Sequence, residues 1–402
     1  MKNVSVTMSL VALLLASGAQ ASDITIKWKV PGKTLGSGYL PKVASDGIEN
    51  VVTIAESATG LSALEDELGY YAPLTKAQVS WTGIADSLYG PTLQIGHAPS
   101  IALAYDGKDN YDTAIEVHQG GQDSESSLWF QLGTNAPPSF SAINWGTATQ
   151  LGPGHLSGPV FCYPASTCPV VPYDNGYKPT VAADLNGPSL TSATVVEVHQ
   201  SDKAASVLYY HVGLLTLGPS PSISWGPSLS VGPSLIGATA GSSPTVSVAN
   251  NVAVLVAEGS GGTLWYSIGL VDTAKSTIAW TKPMSYGAGY NPTVSVWGDG
   301  TDLWIGERVL VEAHQVDNST GSLVYSVGVL SGASPTAITW STNSSGTPDT
   351  NIAYATGCYP SVALAFDGDS KSTSQVSVTE THQTVCGSAS ATQYAFGDLV
   401  GK

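Results

Sequence analysis

The sequence predicts an all-β protein: a six-bladed β-propeller with four antiparallel strands per blade, its last blade closed by the N-terminal strand. Three observations predict it. Four short strand signals recur in a fixed order, they recur six times, and the fourth signal of the last copy lies at the opposite end of the chain.

The first signal is Pro-x-[Val/Ile]-[Ala/Ser], beginning at Pro41, Pro99, Pro179, Pro244, Pro292 and Pro360. Proline is tolerated at the first residue of a strand, so each copy reads as the start of a strand A. The second is a valine-rich strand: "AIEVHQG" from 114, "ATVVEVHQSD" from 193, "LVEAHQV" from 310 and "VTETHQT" from 378. These end in His118-Gln119, His199-Gln200, His314-Gln315 and His382-Gln383; the other two copies carry Ala55-Glu56 and Ala257-Glu258. The third is an aromatic strand closing on glycine: "LWFQLG" from 128, "LYYHVG" from 208, "LWYSIG" from 264, "LVYSVG" from 323, "TQYAFG" from 392, and a degenerate "LGYYAPL" from 68.

The fourth, [Ile/Val]-x-Trp, ends at Trp81, Trp145, Trp225, Trp280 and Trp340, and its sixth copy is Ile26-Lys27-Trp28. A terminal strand lent to the last repeat removes open edges, as a closed ring requires and an open solenoid does not. The blades are assigned to 36–83, 95–147, 176–226, 238–282, 289–342, and 357–402 joined by 22–29. The Ala-Glu variants fall in blades one and four, opposite each other in a ring of six, as duplication of a three-blade unit would leave them. The mature chain averages about 63 residues per blade, above the roughly 40–50 of common propeller repeats, and the connectors hold the excess.

Residues 1–21 read as a secretory signal peptide, with Lys2, an apolar run from Val6 to Ala16, and Ala19-Gln20-Ala21 before a cut at Ser22. The remainder, 22–402, is expected to be one propeller domain, exported to the extracellular space or periplasm and not inserted in a membrane. Four cysteines fit an oxidising compartment, and of the three pairings we expect Cys162–Cys168 and Cys358–Cys386. The first would staple a long insertion, 146–176, that also holds His155, Phe161, Tyr163 and Tyr173. The second would join the start of strand A to the end of antiparallel strand B, which lie side by side. A net charge of −16 and a single arginine, Arg308, argue against a nucleic-acid partner and against attraction to anionic membranes. Only 11% of residues are charged, and the polar, mostly uncharged surface this implies suits neutral ligands such as sugars. The sequence fixes no oligomeric state.

Alternate residues of a strand share a face, so Glu197 and His199 sit side by side where apolar groups would be expected. The same holds for Glu116/His118, Glu312/His314 and Glu380/His382. One reading makes each pair an interblade bracket, with the histidine bonding a backbone carbonyl or its glutamate, because structural residues of a repeat recur by construction. The other uses position. Strand B ends and strand A begins at one rim, which gathers Tyr177 with His199 and Gln200, Tyr290 with His314 and Gln315, Tyr359 with His382 and Gln383, and His97 with His118 and Gln119. Aromatic faces beside amide and imidazole groups suit a sugar, and several such sites would gain avidity. These twelve residues are the candidate ligand-binding set, and glycans the expected partners.

Each blade offers one histidine and one glutamate, short of the ligands zinc takes. The acidic turns Asp106/Asp109/Asp112, Asp299/Asp302 and Asp367/Asp369 would suit calcium, but none completes an EF-hand pattern, and Asp-Gly between strands reads as a hairpin turn. No cofactor or metal is therefore expected. No Gly-x-Ser-x-Gly elbow is present, and no catalytic residue is assigned.

The phrases "VVEVHQS", "LYYHVG", "SISWG" and "YKPTVA" resemble repeats of bacterial secreted propeller proteins, and the architecture resembles the six- and seven-bladed lectin propellers. That resemblance covers nearly all of the mature chain and implies carbohydrate binding. Six-bladed fucose lectins use an Arg/Glu/Trp set in each site; this chain lacks the arginines, so that specificity is not carried over. The alternatives are a polysaccharide hydrolase or lyase with a single site at the channel mouth, and a protein-interaction scaffold.

Overall fold

The computed structural model describes residues 24–47, 50–57, 64–71, 79–81, 96–106, 111–120, 126–135, 143–146, 149–150, 175–184, 191–201, 207–231, 242–298, 307–342, 348, 350–367 and 375–401. The expected signal peptide, the expected Cys162–Cys168 pairing and the body of the 146–176 insertion lie outside these residues.

The strands fall into consecutive antiparallel groups. The first has β1 (Ile24–Ser45), β2 (Asn50–Ser57), β3 (Leu64–Tyr71) and β4 (Val79–Trp81). The second has β5 (His97–Asp106), β6 (Tyr111–Gln119), β7 (Ser126–Asn135), β8 (Asn144–Trp145) and β9 (Thr149–Gln150). In the third are β10 (Asn175–Ala183), β11 (Ser192–Gln200), β12 (Leu208–Thr216), β13 (Ser222–Trp225) and β14 (Leu229–Ser230). In the fourth are β15 (Ser242–Ala249), β16 (Val252–Glu258), β17 (Thr263–Asp272), β18 (Thr277–Trp280) and β19 (Met284–Ala288). The fifth has β20 (Tyr290–Trp297), β21 (Glu307–Gln315), β22 (Gly321–Ser331) and β23 (Thr339–Trp340). The last has β24 (Ile352–Asp367), β25 (Gln375–Gln383) and β26 (Ser390–Gly401), and its outer strand comes from the other terminus. Ile24 to Gly38 of β1 pair antiparallel with β26, Trp28 facing Gly397, before β1 turns inward to pair with β2. Sheets of four antiparallel strands fit propeller blades.

Alternation in each strand places apolar residues on both sheet faces, because each sheet has a neighbour on either side. The core is accordingly divided into clusters between consecutive sheets. Val52, Ile54 and Leu68 meet Ile101 and Leu103; Val196, Val198 and Tyr210 meet Val246, Leu255 and Ile278. Tyr394, Phe396 and Ala363 of the last sheet meet Val43, Val51 and Val79 of the first. The inner strands lie against one another in the order β1, β5, β10, β15, β20, β24, and β24 in turn lies against β1.

The tryptophan motif has one structural partner throughout. Trp81, Trp145, Trp225, Trp280, Trp340 and Trp28 face Gly69, Gly133, Gly213, Gly269, Gly328 and Gly397 across the ladder. At Gly69 a Cβ would lie 2.7 Å from the Trp81 ring, so the indole needs the bare backbone. Two residues earlier, the motif's isoleucine amide is bonded by the preceding sheet. Tyr210 Oη accepts from the Ile278 amide (3.1 Å), Tyr266 Oη from Ile338 (3.3 Å) and Tyr325 Oη from Ile26 (3.3 Å). The N-terminal strand thus makes the contact its internal counterparts make.

Candidate functional site

The rim where strand B ends and strand A begins is built on a repeated backbone irregularity. Leu40, Ala98, Lys178, Ser243, Asn291 and Tyr359, each just before the motif proline, adopt φ between 47° and 53°. The ladder slips at the same places, at Tyr39/Lys42, His97/Ser100, Tyr177/Thr180, Ser242/Thr245, Tyr290/Thr293 and Cys358/Ser361. Proline disfavours the right-handed region for the residue before it, and the left-handed alternative costs a non-glycine residue about 1–2 kcal/mol. The bulge also turns that residue's amide away from its own ladder, and a buried orphan amide costs about 1–3 kcal/mol more.

A residue at the end of the preceding strand B supplies the missing acceptor. Glu56 Oε1 accepts from Ala98 N (2.7 Å), Gln119 Oε1 from Lys178 N (2.6 Å) and Gln200 Oε1 from Ser243 N (2.9 Å). Glu258 Oε2 accepts from Asn291 N (3.3 Å), Gln315 Oε1 from Tyr359 N (2.9 Å) and Gln383 Oε1 from Leu40 N (3.0 Å). Glutamine and glutamate both serve at this position because either offers the side-chain oxygen this bond needs. Gln119, Gln200, Gln315 and Gln383 are buried while doing so.

Each histidine points the other way from the glutamine beside it. His118, His199, His314 and His382 direct Nδ1 at Glu116, Glu197, Glu312 and Glu380, 2.9–3.2 Å from the carboxylate oxygens, and all eight side chains are buried. At His314, burial works against the charged ring, but the Glu312 charge and hydrogen bond outweigh it and the pKa is raised; His382 behaves alike beside Glu380. Tyr286, from β19 of the preceding sheet, donates to Glu312 at 2.9 Å. A glycine makes room for each ring: a Cβ on Gly96 or Gly176 would stand 2.6 Å from Cδ2 of His118 or His199. The imidazoles and terminal amides of the candidate set therefore lie inside the sheet interfaces, behind the surface.

The tyrosine rings of that set lie forward of them. Tyr177 faces Gln200 in the ladder, Tyr290 faces Gln315 and His97 faces Gln119, while Cys358 faces Gln383 and is bridged to Cys386. Tyr359 takes the left-handed position, one residue further on. Tyr177, Tyr290 and Tyr359 are partly exposed, and so is Tyr39, which the motif pattern had not singled out because its blade ends in Ala-Glu. The rings of Tyr39 and Tyr359 meet edge to face at 5.7 Å. Burial, then the Tyr359 hydrogen bond, raises the Tyr39 phenol; burial, then the charges of Tyr359 and Glu56, raises Tyr177.

Of these residues Tyr359 lines a cavity at one end of the passage between the inner strands. Pro99, Pro179, Pro244, Pro292 and Pro360 line it, and its polar groups include Lys42, Lys178, Asn291 and Tyr359. Burial, and after it the like charge of Lys178, pushes the Lys42 ammonium down to about 8. Lys178 Nζ donates to Ser243 Oγ at 2.8 Å and lies 5.8 Å over the Tyr177 ring. The mouth of an acidic protein thus holds two ammonium groups and Tyr359, with the Tyr39 ring against Tyr359 and the Tyr177 ring under Lys178.

No family model matches the chain, and no curated protein matches it. Among solved structures it is similar to a sialidase of Trypanosoma rangeli in complex with the inhibitor DANA (TM-score 0.48, 12% identity, 90% of this chain and 55% of that one), so the chain spans about half the sialidase's length. It is also similar to a protein of unknown function from Dyadobacter fermentans (0.49, 11%, 93% and 98%) and to the Aleuria aurantia lectin in complex with alpha-methyl-L-fucoside (0.44, 10%, 92% and 97%).

Proposed function

We propose that the chain is a secreted, closed six-bladed propeller that binds carbohydrate at the channel mouth. Closure is supported by the pairing of β1 with β26 and by the Gln383–Leu40 bond. Export is supported by the leader-like N-terminus and by the Cys358–Cys386 disulfide, which belongs to an oxidising compartment. Among the described residues no helix is long and apolar enough to cross a membrane.

The observation that carries the binding proposal is the convergence of the partly exposed rings of Tyr39, Tyr177 and Tyr359 beside Lys42 and Lys178. Phenol faces stack on the C–H faces of a sugar while hydroxyls and ammonium groups bond its oxygens. The histidine and glutamine side chains act from behind, by holding the bulged backbone that aims these rings.

A glycan array, followed by titration calorimetry of any ligand found, tests the proposal. It predicts binding that Tyr177→Ala or Tyr359→Ala weakens at least tenfold with the melting temperature little changed. A folded protein that binds no glycan on the array, neutral or acidic, would overturn it.

A further inference from the structure

The third sheet carries a histidine at one ladder position where the other sheets do not. His211, on β12, stands opposite Glu197 in the ladder, and Glu197, His199 and His211 each place one ligating atom within 4.8 Å of the other two. All three are fully buried. Sequence reasoning counted one histidine and one glutamate per blade because His211 lies on a different strand; only the register of β11 against β12 brings it in. The equivalent position holds Gln131, Ser267, Ser326 and Ala395 in the second, fourth, fifth and sixth sheets.

We propose that Glu197, His199 and His211 form a structural site for a divalent transition metal, with zinc the natural occupant. Two imidazoles and a carboxylate are a ligand set that zinc takes, and imidazole selects against calcium and magnesium. The ring of His211 is anchored for this role. Its Nδ1 lies 3.1 Å from the Gly226 carbonyl, which can only accept, so Nδ1 carries a proton and Nε2 is the nitrogen that would meet an ion. Metal-bound histidines almost always anchor their other ring nitrogen in this manner.

The His199–Glu197 pair already stands at ligand spacing, and His211 lies within 4.8 Å of both. Ligands about 2.0–2.2 Å from an ion, at tetrahedral to right angles, lie about 3–3.5 Å apart. His199 Nδ1 is 3.1 and 3.0 Å from the two Glu197 oxygens. A bidentate Glu197 with both rings would complete four-coordination without solvent. Stacking fixes the ring planes: His199 lies between Tyr209 (5.9 Å) and His211 (6.0 Å), and His211 meets Trp225 edge-on at 6.2 Å. With all three side chains fully buried, the ion would enter as the blade folds and would clamp β11 to β12; it would not act on substrates.

The test uses untagged protein expressed in medium supplemented with zinc and dialysed against EDTA, with metal counted by plasma mass spectrometry. About one zinc per chain is expected, and less than a tenth of that in His211→Gln, which carries the residue of the second sheet. Protein grown on cobalt should show the visible absorption of four-coordinate Co(II), a readout that needs no variant. Wild-type protein holding under a tenth of a zinc per chain, or cobalt-grown protein without that absorption, would overturn the proposal. So would a folded His211→Gln that keeps its full zinc.

Discussion

Gln383 Oε1 accepts the backbone amide of Leu40 at 3.0 Å, across 343 residues of chain. The same amide makes no inner-ladder bond, because the bulge at Tyr39/Lys42 turns it out of register. The joint between the two ends of the molecule is therefore the same bond that joins each sheet to the next.

Gln383→Leu should cost about 1–3 kcal/mol by leaving that amide buried and unbonded. Gln383→Glu should cost less, since Glu56 and Glu258 accept the equivalent amides. It should not be neutral, because Gln383 Nε2 also donates to the carbonyls of Gly38 and Ser388, both at 3.0 Å, and a carboxylate cannot. Urea unfolding of the three proteins should rank them wild type, Glu, Leu; a Leu variant as stable as wild type would contradict the bracket.

His118→Ala should be more damaging than replacing its whole pair. Alone it strands Glu116, fully buried, without its imidazole partner, and breaking a buried pair costs about 3–5 kcal/mol. Glu116→Leu with His118→Ala installs the residues of the fourth sheet, Leu255 and Ala257, and should recover much of that loss. Denaturant midpoints of the single and double variants decide; a double variant at least as unstable as His118→Ala would refute the pairing.

Stability should fall as pH rises from mild acid. Burial pushes the Glu67 carboxyl up to about 7, so the folded state holds its proton more tightly than the unfolded chain does. That contribution is complete below the ordinary glutamate value of 4.5 and is lost as pH rises to about 7. The raised pKa values of His314 and His382 act in the same direction, their contribution being full below 6.5 and fading above it. Glu67→Gln, which copies Gln131 of the second sheet, should flatten the lower part of this profile and raise the melting temperature at pH 7. Melting curves from pH 4.5 to 8.5 would show it, and an unchanged slope in the variant would count against Glu67 as the source.

Reduction of Cys358–Cys386 should destabilise the fold. The bridge closes a loop with a sequence separation of 28, worth about 3–4 kcal/mol in chain entropy. Melting with and without reductant, beside a Cys358→Ser/Cys386→Ser variant, measures the effect; equal midpoints would refute it.

The strand order and the borrowed terminal strand were legible because proline and tryptophan motifs mark strand starts and ends locally. The Cys358–Cys386 pair was legible for the same reason, since strands A and B of one hairpin put those residues together. What Gln200 does was not legible. Its partner is the amide of Ser243 in the next sheet, freed by a bulge whose left-handed residue has no signature of its own, being Leu, Ala, Lys, Ser, Asn or Tyr. Tyr39 escaped notice because Glu56 replaces the His-Gln signal beside it. His211 escaped because "LYYHVG" reads as a packing strand until its register against Glu197 is known.

The central claim is that one set of side-chain brackets closes the ring, and amide exchange tests it most directly. Peptide-resolved deuterium uptake should be followed over Leu40, Ala98, Lys178, Ser243, Asn291 and Tyr359 in native buffer and in rising denaturant. The account predicts slow exchange at Leu40 matching the other five, with all six losing protection together. Rapid uptake at Leu40 while the others stay protected would mean that the chain ends are not joined, and would contradict it.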